Sequence, residues 1–334
     1  MASLKDVEKL ANVSLMTVSR AINEPHKLNE KTLLKVNNAI NQLDYVPHIS
    51  PKIMRGDKSS PLTIGVLALD TATTPFSVEI LQAIEKTAQS HNWITFTINL
   101  FDTTNLNEAV DTLLSYRPKG IIYTSMGLRK ITIPEKLLQQ NIVLANCLND
   151  NGNIPCYIPD DFQGQYIAMK KVIEKGYKKP LCIYLSKTSL AGEIRRKAVE
   201  KAWLESGYEL NDLTTYHLKR EKDQTELNYL EVISIIDKHC TTKPNFDIII
   251  CGNDRVAFVV YQELLSRGFH IPSDVAVLGY DNMAGVGDLF SPALTTVQLP
   301  HYEIGQRAAL HIINNEQSKT IIKIESPFLK RDSI

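Results

Sequence analysis

The sequence predicts an α/β protein that consists of an N-terminal all-α headpiece and a two-lobed body of doubly wound parallel sheets. Two short amphipathic helical patterns lie together near the start of the chain. From residue 62 onward, apolar runs of strand length alternate with amphipathic helices. A length of 334 residues exceeds one ordinary core, so a small domain followed by two lobes is expected.

The headpiece pattern predicts a helix-turn-helix motif. Apolar residues recur at helical spacing up to Ala11, and Asn12 interrupts them. Ser14 stands where a helix N-cap is expected, because its hydroxyl can accept a hydrogen bond from a first-turn amide. A second helix over 15–22 then presents a short polar and basic face, which suits the DNA major groove. Paired amphipathic helices also occur in ordinary bundles, so periodicity alone leaves DNA binding open.

Three strings within this pattern resemble the headpiece of LacI/GalR-type bacterial repressors. They are Lys5-Asp6-Val7, Ala11-Asn12-Val13-Ser14 and Thr17-Val18-Ser19-Arg20. The family usually has glycine where this chain has Asn12, and asparagine tolerates the left-handed backbone of such a turn. The resemblance implies that the headpiece, residues 1–47, binds double-stranded operator DNA as part of a homodimer.

The segment after the headpiece matches the family's hinge helix. A third helix is predicted over 30–43, with Asn29 as its N-cap and Pro47 beyond its end. In relatives the hinge folds on operator DNA and inserts an apolar side chain into the minor groove, and Met54 occupies that place here. The alternative is a disordered linker. Residues 48–61 are expected to be coil in water and partly helical when docked.

The resemblance assigns DNA contacts to individual side chains. Leu15 and Met16 lie where the family reads bases, and their apolar character favours thymine methyl groups. Arg20 is the expected hydrogen-bonding reader, whereas Thr17 and Ser19 suit phosphate contacts. The full predicted set is Ser14, Leu15, Met16, Thr17, Ser19, Arg20, Asn29, His48 and Met54.

Charge and composition bound the possible partners. Residues 1–60 hold nine Lys and Arg against six Asp and Glu, so this part carries +3 and the remainder −3. The chain start has no apolar core of a secretory signal, and no apolar run approaches the roughly 20 residues of a membrane span. Five cysteines without C-x-x-C spacing favour reduced thiols. We expect a cytoplasmic protein with no membrane partner, metal or cofactor.

The predicted strands of the body, residues 62–334, are continuous apolar runs typical of parallel sheets covered on both faces. They span residues 63–70, 93–100, 120–124, 142–146, 181–185, 246–253 and 275–281. The unit count exceeds one nucleotide-binding sheet, which predicts two lobes. One lobe is expected to hold about 62–161 plus 293–320, and the other 162–292 plus 321–334. The whole resembles a periplasmic sugar-binding protein, as the bodies of LacI/GalR regulators do.

Polar residues follow the carboxyl ends of these strands, where open parallel sheets bind ligands. Carboxylates and amides supply both donors and acceptors, which suits a hydroxyl-rich ligand. Arg195 matches the family arginine that holds sugar hydroxyls, and Phe76 could cover a sugar ring. The predicted effector-binding set is Asp70, Phe76, Asn146, Arg195, Asn253, Asp281 and Gln298.

Several of these residues have a second interpretation. Asp254, next to Asn253, could cap a helix, and Asp70 could be a loop acid. Trp203 could face a sugar or belong to the core. Arg196 could take the place assigned to Arg195.

Further strings resemble the sucrose-responsive branch of the family and imply sucrose, or its fructose or glucose moiety, as the inducer. They span residues 70–80, 122–129, 142–147 and 157–161. Other sugars, or a purine acting as co-repressor, stay open. An enzyme is not expected, because no phosphate-binding glycine loop, zinc-protease motif or nucleophile elbow occurs. A transport binding protein would suit the body, but it needs an export signal and has no use for the headpiece.

Overall fold

The structure, a computed structural model, describes residues 2–45, 62–71, 78–150, 153–220, 227–240, 243–283, 287–318 and 320–334. The predicted hinge segment 48–61, with His48 and Met54, lies outside these residues, and so does Phe76. The headpiece and the body that begins at Thr63 are separate compact units.

The headpiece folds as the predicted helix-turn-helix with a third helix. Its helices are α1 (Leu4–Ala11), α2 (Leu15–Asn23) and α3 (Glu30–Gln42). Asn12 ends α1 with a φ of 53° and a ψ of 51°, the left-handed conformation that the sequence predicted. The centre of the headpiece core consists of three fully buried valines, one from each helix: Val7, Val18 and Val36.

The first lobe of the body contains a parallel sheet in the order β11-β5-β4-β3-β1-β2. These strands are β1 (Thr63–Leu69), β2 (Ile94–Leu100), β3 (Gly120–Ile131), β4 (Ile142–Asn149), β5 (Cys156–Pro159) and β11 (Ile321–Ile324). The helices of this lobe are α4 (Val78–Ser90), α5 (Leu106–Ser115), α6 (Glu135–Leu138) and α11 (His301–Ile313). α4 and α11 share one apolar cluster with the sheet, and α5 and α6 share another, so both faces are covered.

The second lobe repeats this design around a parallel sheet in the order β7-β6-β8-β9. Its strands are β6 (Pro180–Tyr184), β7 (Thr214–His217), β8 (Ile248–Cys251) and β9 (Ala276–Leu278). Its helices are α7 (Asp161–Glu174), α8 (Leu190–Leu204), α9 (Glu231–His239) and α10 (Asp254–Ser266). α7 and α8 pack with one apolar cluster, and α9 and α10 with the other.

Residues 293–334 are divided between the lobes differently from the sequence prediction. Residues 293–320 were assigned to the first lobe, but Leu294 and Val297 belong to the cores of the second. Ile321–Ile324 were assigned to the second lobe, but they pair with β5 at the edge of the first sheet. This strand is short and mostly exposed, as edge strands are, so its apolar pattern is too weak to assign it. A two-stranded antiparallel pair, β10 (Thr296–Val297) with β12 (Phe328–Leu329), completes the strands of the described residues.

Trp203 is a core residue and not a sugar-facing one. Its side chain is fully buried, stacks on Tyr208 with ring centroids 4.1 Å apart, and donates a 3.0 Å hydrogen bond to the carbonyl of Glu209. The indole N–H is therefore satisfied inside the second lobe.

Candidate functional site

The first residues of α2 are held by two side chains. The Ser14 hydroxyl accepts a 3.2 Å hydrogen bond from the Thr17 amide, as the sequence predicted for an N-cap. The Glu8 carboxylate on α1 accepts a 2.9 Å hydrogen bond from the Leu15 amide, a contact that the sequence did not suggest. Together they satisfy two of the amides that a helix start leaves without partners, and they fix α2 against α1.

The predicted DNA-reading face of α2 is exposed where bases would be read. Met16 is 64% exposed, and Leu15 and Arg20 are also exposed. Thr17 and Ser19 are half-buried beside them. Asn29 caps α3 through a 2.8 Å hydrogen bond from the Thr32 amide, so part of its hydrogen-bonding capacity is already used by its own helix.

A cavity of about 580 Å³ lies between the two lobes of the body. This volume is in the range of small-molecule sites, which is about 300–1,000 Å³. Four of the predicted effector residues line it, one from the first lobe and three from the second: Asn146, Arg195, Asn253 and Asp281.

Two predicted effector residues lie near the cavity without lining it. Asp70 is only 2% exposed, and its carboxylate accepts a 3.1 Å hydrogen bond from Arg129, which does line the cavity. Gln298 pairs with Asp281 along the backbone, and its amide donates to the Pro327 carbonyl at 2.9 Å. Side chains alternate along an extended chain, and here the next residue, Leu299, reaches the cavity instead.

Arg195 forms the centre of the second-lobe wall. Its Nε donates to Asp161 Oδ1 at 2.8 Å, its Nη1 donates to the Gly252 carbonyl at 3.0 Å, and its guanidinium lies 3.7 Å from the ring centroid of Tyr280. Burial alone would lower the pKa of Arg195, but the charge and hydrogen bond of Asp161, together with Tyr280 and Asp281, outweigh it and the pKa is raised. The group stays charged. Arg196 binds Glu193 and Glu200 instead and does not line the cavity, so of the two arginines Arg195 is the one that lines it, as predicted.

A pair of buried carboxyls stands beside Arg195. Asp281 has a φ of 102°, and no described group hydrogen-bonds its buried Oδ1. Burial, followed by the charge of Asp254, raises the pKa of Asp281 well above its ordinary value. Asp254 accepts hydrogen bonds from the Thr296 hydroxyl at 2.8 Å and the Met283 amide at 3.0 Å. Burial raises the pKa of Asp254 to about 6. The open oxygen of Asp281 is an acceptor that a ligand hydroxyl can satisfy.

The interpretation of Asp254 as a helix cap is wrong. Asn253 is the N-cap of α10, because its Oδ1 accepts from the Val256 amide at 2.9 Å, and Asp254 is the first helical residue. The Asn253 Nδ2 donates to the Tyr229 hydroxyl at 3.1 Å. In the first lobe, Asn146 adopts a φ of 58° and donates to the Ser125 carbonyl at 3.1 Å. Both amides are thus held in place before any ligand arrives.

The sequence prediction missed the cationic lining. The described part of the cavity wall carries six such side chains: Arg129, Lys130, Lys187, Arg195, Arg220 and Arg255. Only Arg195 was predicted. β3 was expected to end at Thr124, whereas it continues past an irregular stretch to Ile131. Gly127, with a φ of 69°, is the one local signal for that irregularity.

Within the described residues, no three His, Cys, Asp or Glu side chains come together as a metal site would require. Across the same part of the chain, no helix has the length and apolar character to span a membrane.

Comparisons with known proteins match both parts of the chain. Residues 61–332 match the family model of periplasmic binding proteins and the sugar-binding domain of the LacI family, and residues 3–48 match that of bacterial regulatory proteins of the lacI family. The sucrose operon repressors of Escherichia coli and Shigella flexneri are each 48% identical over 334 residues, which is 100% of both chains. The lac repressor dimer bound to operator and the anti-inducer ONPF is 19% identical, with a TM-score of 0.79 over 99% of this chain and 98% of that one.

The exposed face of α2, the cavity between two parallel-sheet lobes and these matches agree with one another. The chain therefore belongs to the LacI family of bacterial regulatory proteins, as a DNA-binding transcriptional regulator rather than an enzyme.

Proposed function

We propose that this protein represses a sugar-utilisation operon in the cytoplasm and leaves its operator when a saccharide, sucrose or one of its moieties, enters the cavity. The observation that carries the proposal is the cavity wall itself. A charged arginine held by Asp161, an open carboxylate oxygen on Asp281 and two fixed amides form a set of donors and acceptors for hydroxyl groups. The names of the relatives at 48% identity support sucrose.

DNA binding is assigned to α2. Leu15, Met16 and Arg20 are the proposed base readers, and Thr17 and Ser19 the proposed phosphate contacts. Ser14 and Asn29 hold helix starts and would contact DNA only through their remaining capacity. The net charge of +3 in residues 1–60 makes binding sensitive to salt, and a homodimer on a palindromic site would double that charge.

The cavity position explains how ligand and DNA binding can be linked. Asn146 comes from the first lobe, whereas Arg195, Asn253 and Asp281 come from the second. A ligand that contacts both walls favours one arrangement of the lobes. It can release the operator only to the extent that it binds that arrangement more tightly than the DNA-bound one.

Calorimetry and gel retardation with the purified full-length chain test the proposal. Sucrose, fructose and glucose are titrated separately, and operator binding is measured with and without each saturating sugar. At least one sugar is expected to bind and to weaken operator binding. If every sugar left the operator complex unchanged, the proposal would be rejected. A purine that strengthened the complex would instead support the co-repressor alternative.

A further inference from the structure

A bulge in β3 forms part of the cavity wall. β3 pairs with β4 in regular register up to Thr124 opposite Ala145, and pairing resumes with Arg129 opposite Cys147. Four residues of β3, 125–128, therefore lie opposite the single residue Asn146. Bulges of this kind redirect side chains and are frequent next to binding sites. Here residues 126–130 all reach the cavity.

Arg129 follows this bulge, and two protein oxygens hold its side chain in place. Its Nη2 donates to Asp70 Oδ2 at 3.1 Å and also to the Met126 carbonyl. The Asp70 side chain is 2% exposed, whereas that of Arg129 is 34% exposed at the cavity. The acid is thus buried behind an arginine that faces the ligand space.

Arg129 has donors left over. A guanidinium carries five N–H groups, and the two contacts of Arg129 use the pair on Nη2. Among described residues, no partner is seen for its Nε or Nη1. Arg195 likewise uses two of its N–H groups, one on Nε and one on Nη1, for protein contacts. The Arg195 side chain is 8% exposed and that of Arg129 is 34% exposed, so Arg129 is the more accessible donor of the two.

We infer that Arg129 contacts the effector and helps to set which saccharide the cavity accepts, with Asp70 acting through it as a positioning residue. The inference rests on the proposed function and deepens it. Both parallel forks of a guanidinium include Nη2, whose hydrogens Asp70 and Met126 already accept, so Nε and Nη1 act as separate donors. The ligand groups recognised are therefore individual oxygens, either hydroxyls of a neutral sugar or oxygens of a phosphorylated one.

The test measures saccharide Kd values for the full-length chain by calorimetry, using sucrose, fructose and fructose 1-phosphate. Arg129→Met is expected to weaken binding of the recognised ligand by about tenfold or more, and binding of the ligands that lack the recognised oxygen by less. A selective loss for the phosphorylated sugar would assign a phosphoryl oxygen, and a selective loss for a neutral sugar a hydroxyl oxygen. Arg129→Lys, which keeps the charge without the guanidinium donors, should recover only part of the loss.

Asp70 is tested by non-additivity. Asp70→Asn alone should weaken binding, but in the Arg129→Met background it should cause no further loss, because it acts through that arginine. The double variant also removes the buried negative charge that Arg129→Met alone would leave without this cation. Lys136→Met and Asp111→Asn break an exposed ion pair in the same lobe and serve as matched controls. Both should retain wild-type Kd values.

The outcomes separate this inference from the proposed function. If the wild-type chain bound none of the three ligands, the proposed function would fail and the inference with it. If the wild type bound but the Arg129→Met and double variants bound every ligand equally well, only the inference would be overturned. If Asp70→Asn weakened saccharide binding as strongly in the Arg129→Met background as in the wild type, the positioning role of Asp70 would be overturned.

Discussion

Arg195 of α8 donates a 2.8 Å hydrogen bond to Asp161, the first residue of α7, which begins directly after the chain leaves the first lobe at β5. The two side chains are 8% and 1% exposed. The same guanidinium lines the cavity. The pair therefore ties the cavity wall to a segment that connects the lobes, so we expect it to serve both stability and the proposed effector binding.

Replacing Arg195 by Met should lower the free energy of unfolding by about 3–5 kcal/mol, because Asp161 would remain buried without its cation. Saccharide binding should also be lost. Arg196→Met is the matched control: its partners Glu193 and Glu200 are 32% and 25% exposed, far more than Asp161, and breaking exposed pairs costs about 0–1 kcal/mol. Urea unfolding and calorimetry check both effects. Equal destabilisation by the two variants would contradict the role assigned to Arg195.

Arg20→Gln should reduce discrimination between operator and random DNA by about 1–3 kcal/mol, since a base-reading arginine contributes about that much. Lys31→Gln, at an exposed position in the first turn of α3, removes the same charge outside the predicted reading face. Lys31→Gln should weaken binding to operator DNA and to random DNA by similar amounts, which are smaller than the effect of Arg20→Gln on operator binding. Gel retardation at fixed salt measures both. If Arg20→Gln weakened both DNAs equally, Arg20 would be a backbone contact rather than a reader.

The sequence predicted features that depend on local pattern. Periodicity and residue type were enough to predict Asn12 in the turn and Ser14 as a cap. They also predicted that polar residues such as Asn146 and Asp281 follow strands at the cavity. Features set by non-local pairing were missed. The bulge before Arg129 depends on the register with β4, which no local pattern encodes.

Residues that occupy the same place in the sequence pattern can still differ in burial. Asp70 and Asp281 both follow apolar strands, yet only Asp281 lines the cavity. Asp70 is buried instead, and its carboxylate accepts a hydrogen bond from Arg129, a residue 59 positions away in the chain. The lobe assignment of Ile321–Ile324 was likewise decided by a distant partner, β5.

Gly305→Ala should destabilise the first lobe, although Gly→Ala in a helix normally stabilises by up to about 1 kcal/mol. A Cβ at Gly305 of α11 would lie 2.4 Å from the Ile80 carbonyl oxygen and 3.0 Å from the Ala83 Cβ, both on α4. The helices must separate, and overpacking of this kind costs about 1–3 kcal/mol. Gln306→Ala, at an exposed position on the same helix, is the control and should not lower the melting temperature. An unchanged melting temperature for Gly305→Ala would show that the close approach is not required.

Asp254→Asn should flatten the pH dependence of stability. The folded-state pKa of Asp254 is about 6, raised from the ordinary 3.8 mainly by burial. A carboxyl whose pKa is raised by folding stabilises the folded state most when protonated, below about pH 4, and that contribution is lost as the pH rises through 6. The wild type should therefore lose free energy of unfolding relative to Asp254→Asn between pH 4 and 7. Removing the Asp254 charge should also lower the pKa of Asp281.

Urea titrations at half-unit pH steps measure this difference, and Asp274→Asn provides a control of opposite sign. The His270 amide donates a 2.7 Å hydrogen bond to Asp274 and lowers its pKa below 3.8. A lowered carboxyl pKa contributes stability above the unfolded value and loses it as the pH falls. The free energy of unfolding of the wild type should thus fall relative to that of Asp274→Asn only below about pH 4. A difference between wild type and Asp254→Asn that stayed constant from pH 4 to 7 would mean that Asp254 is already ionised throughout that range.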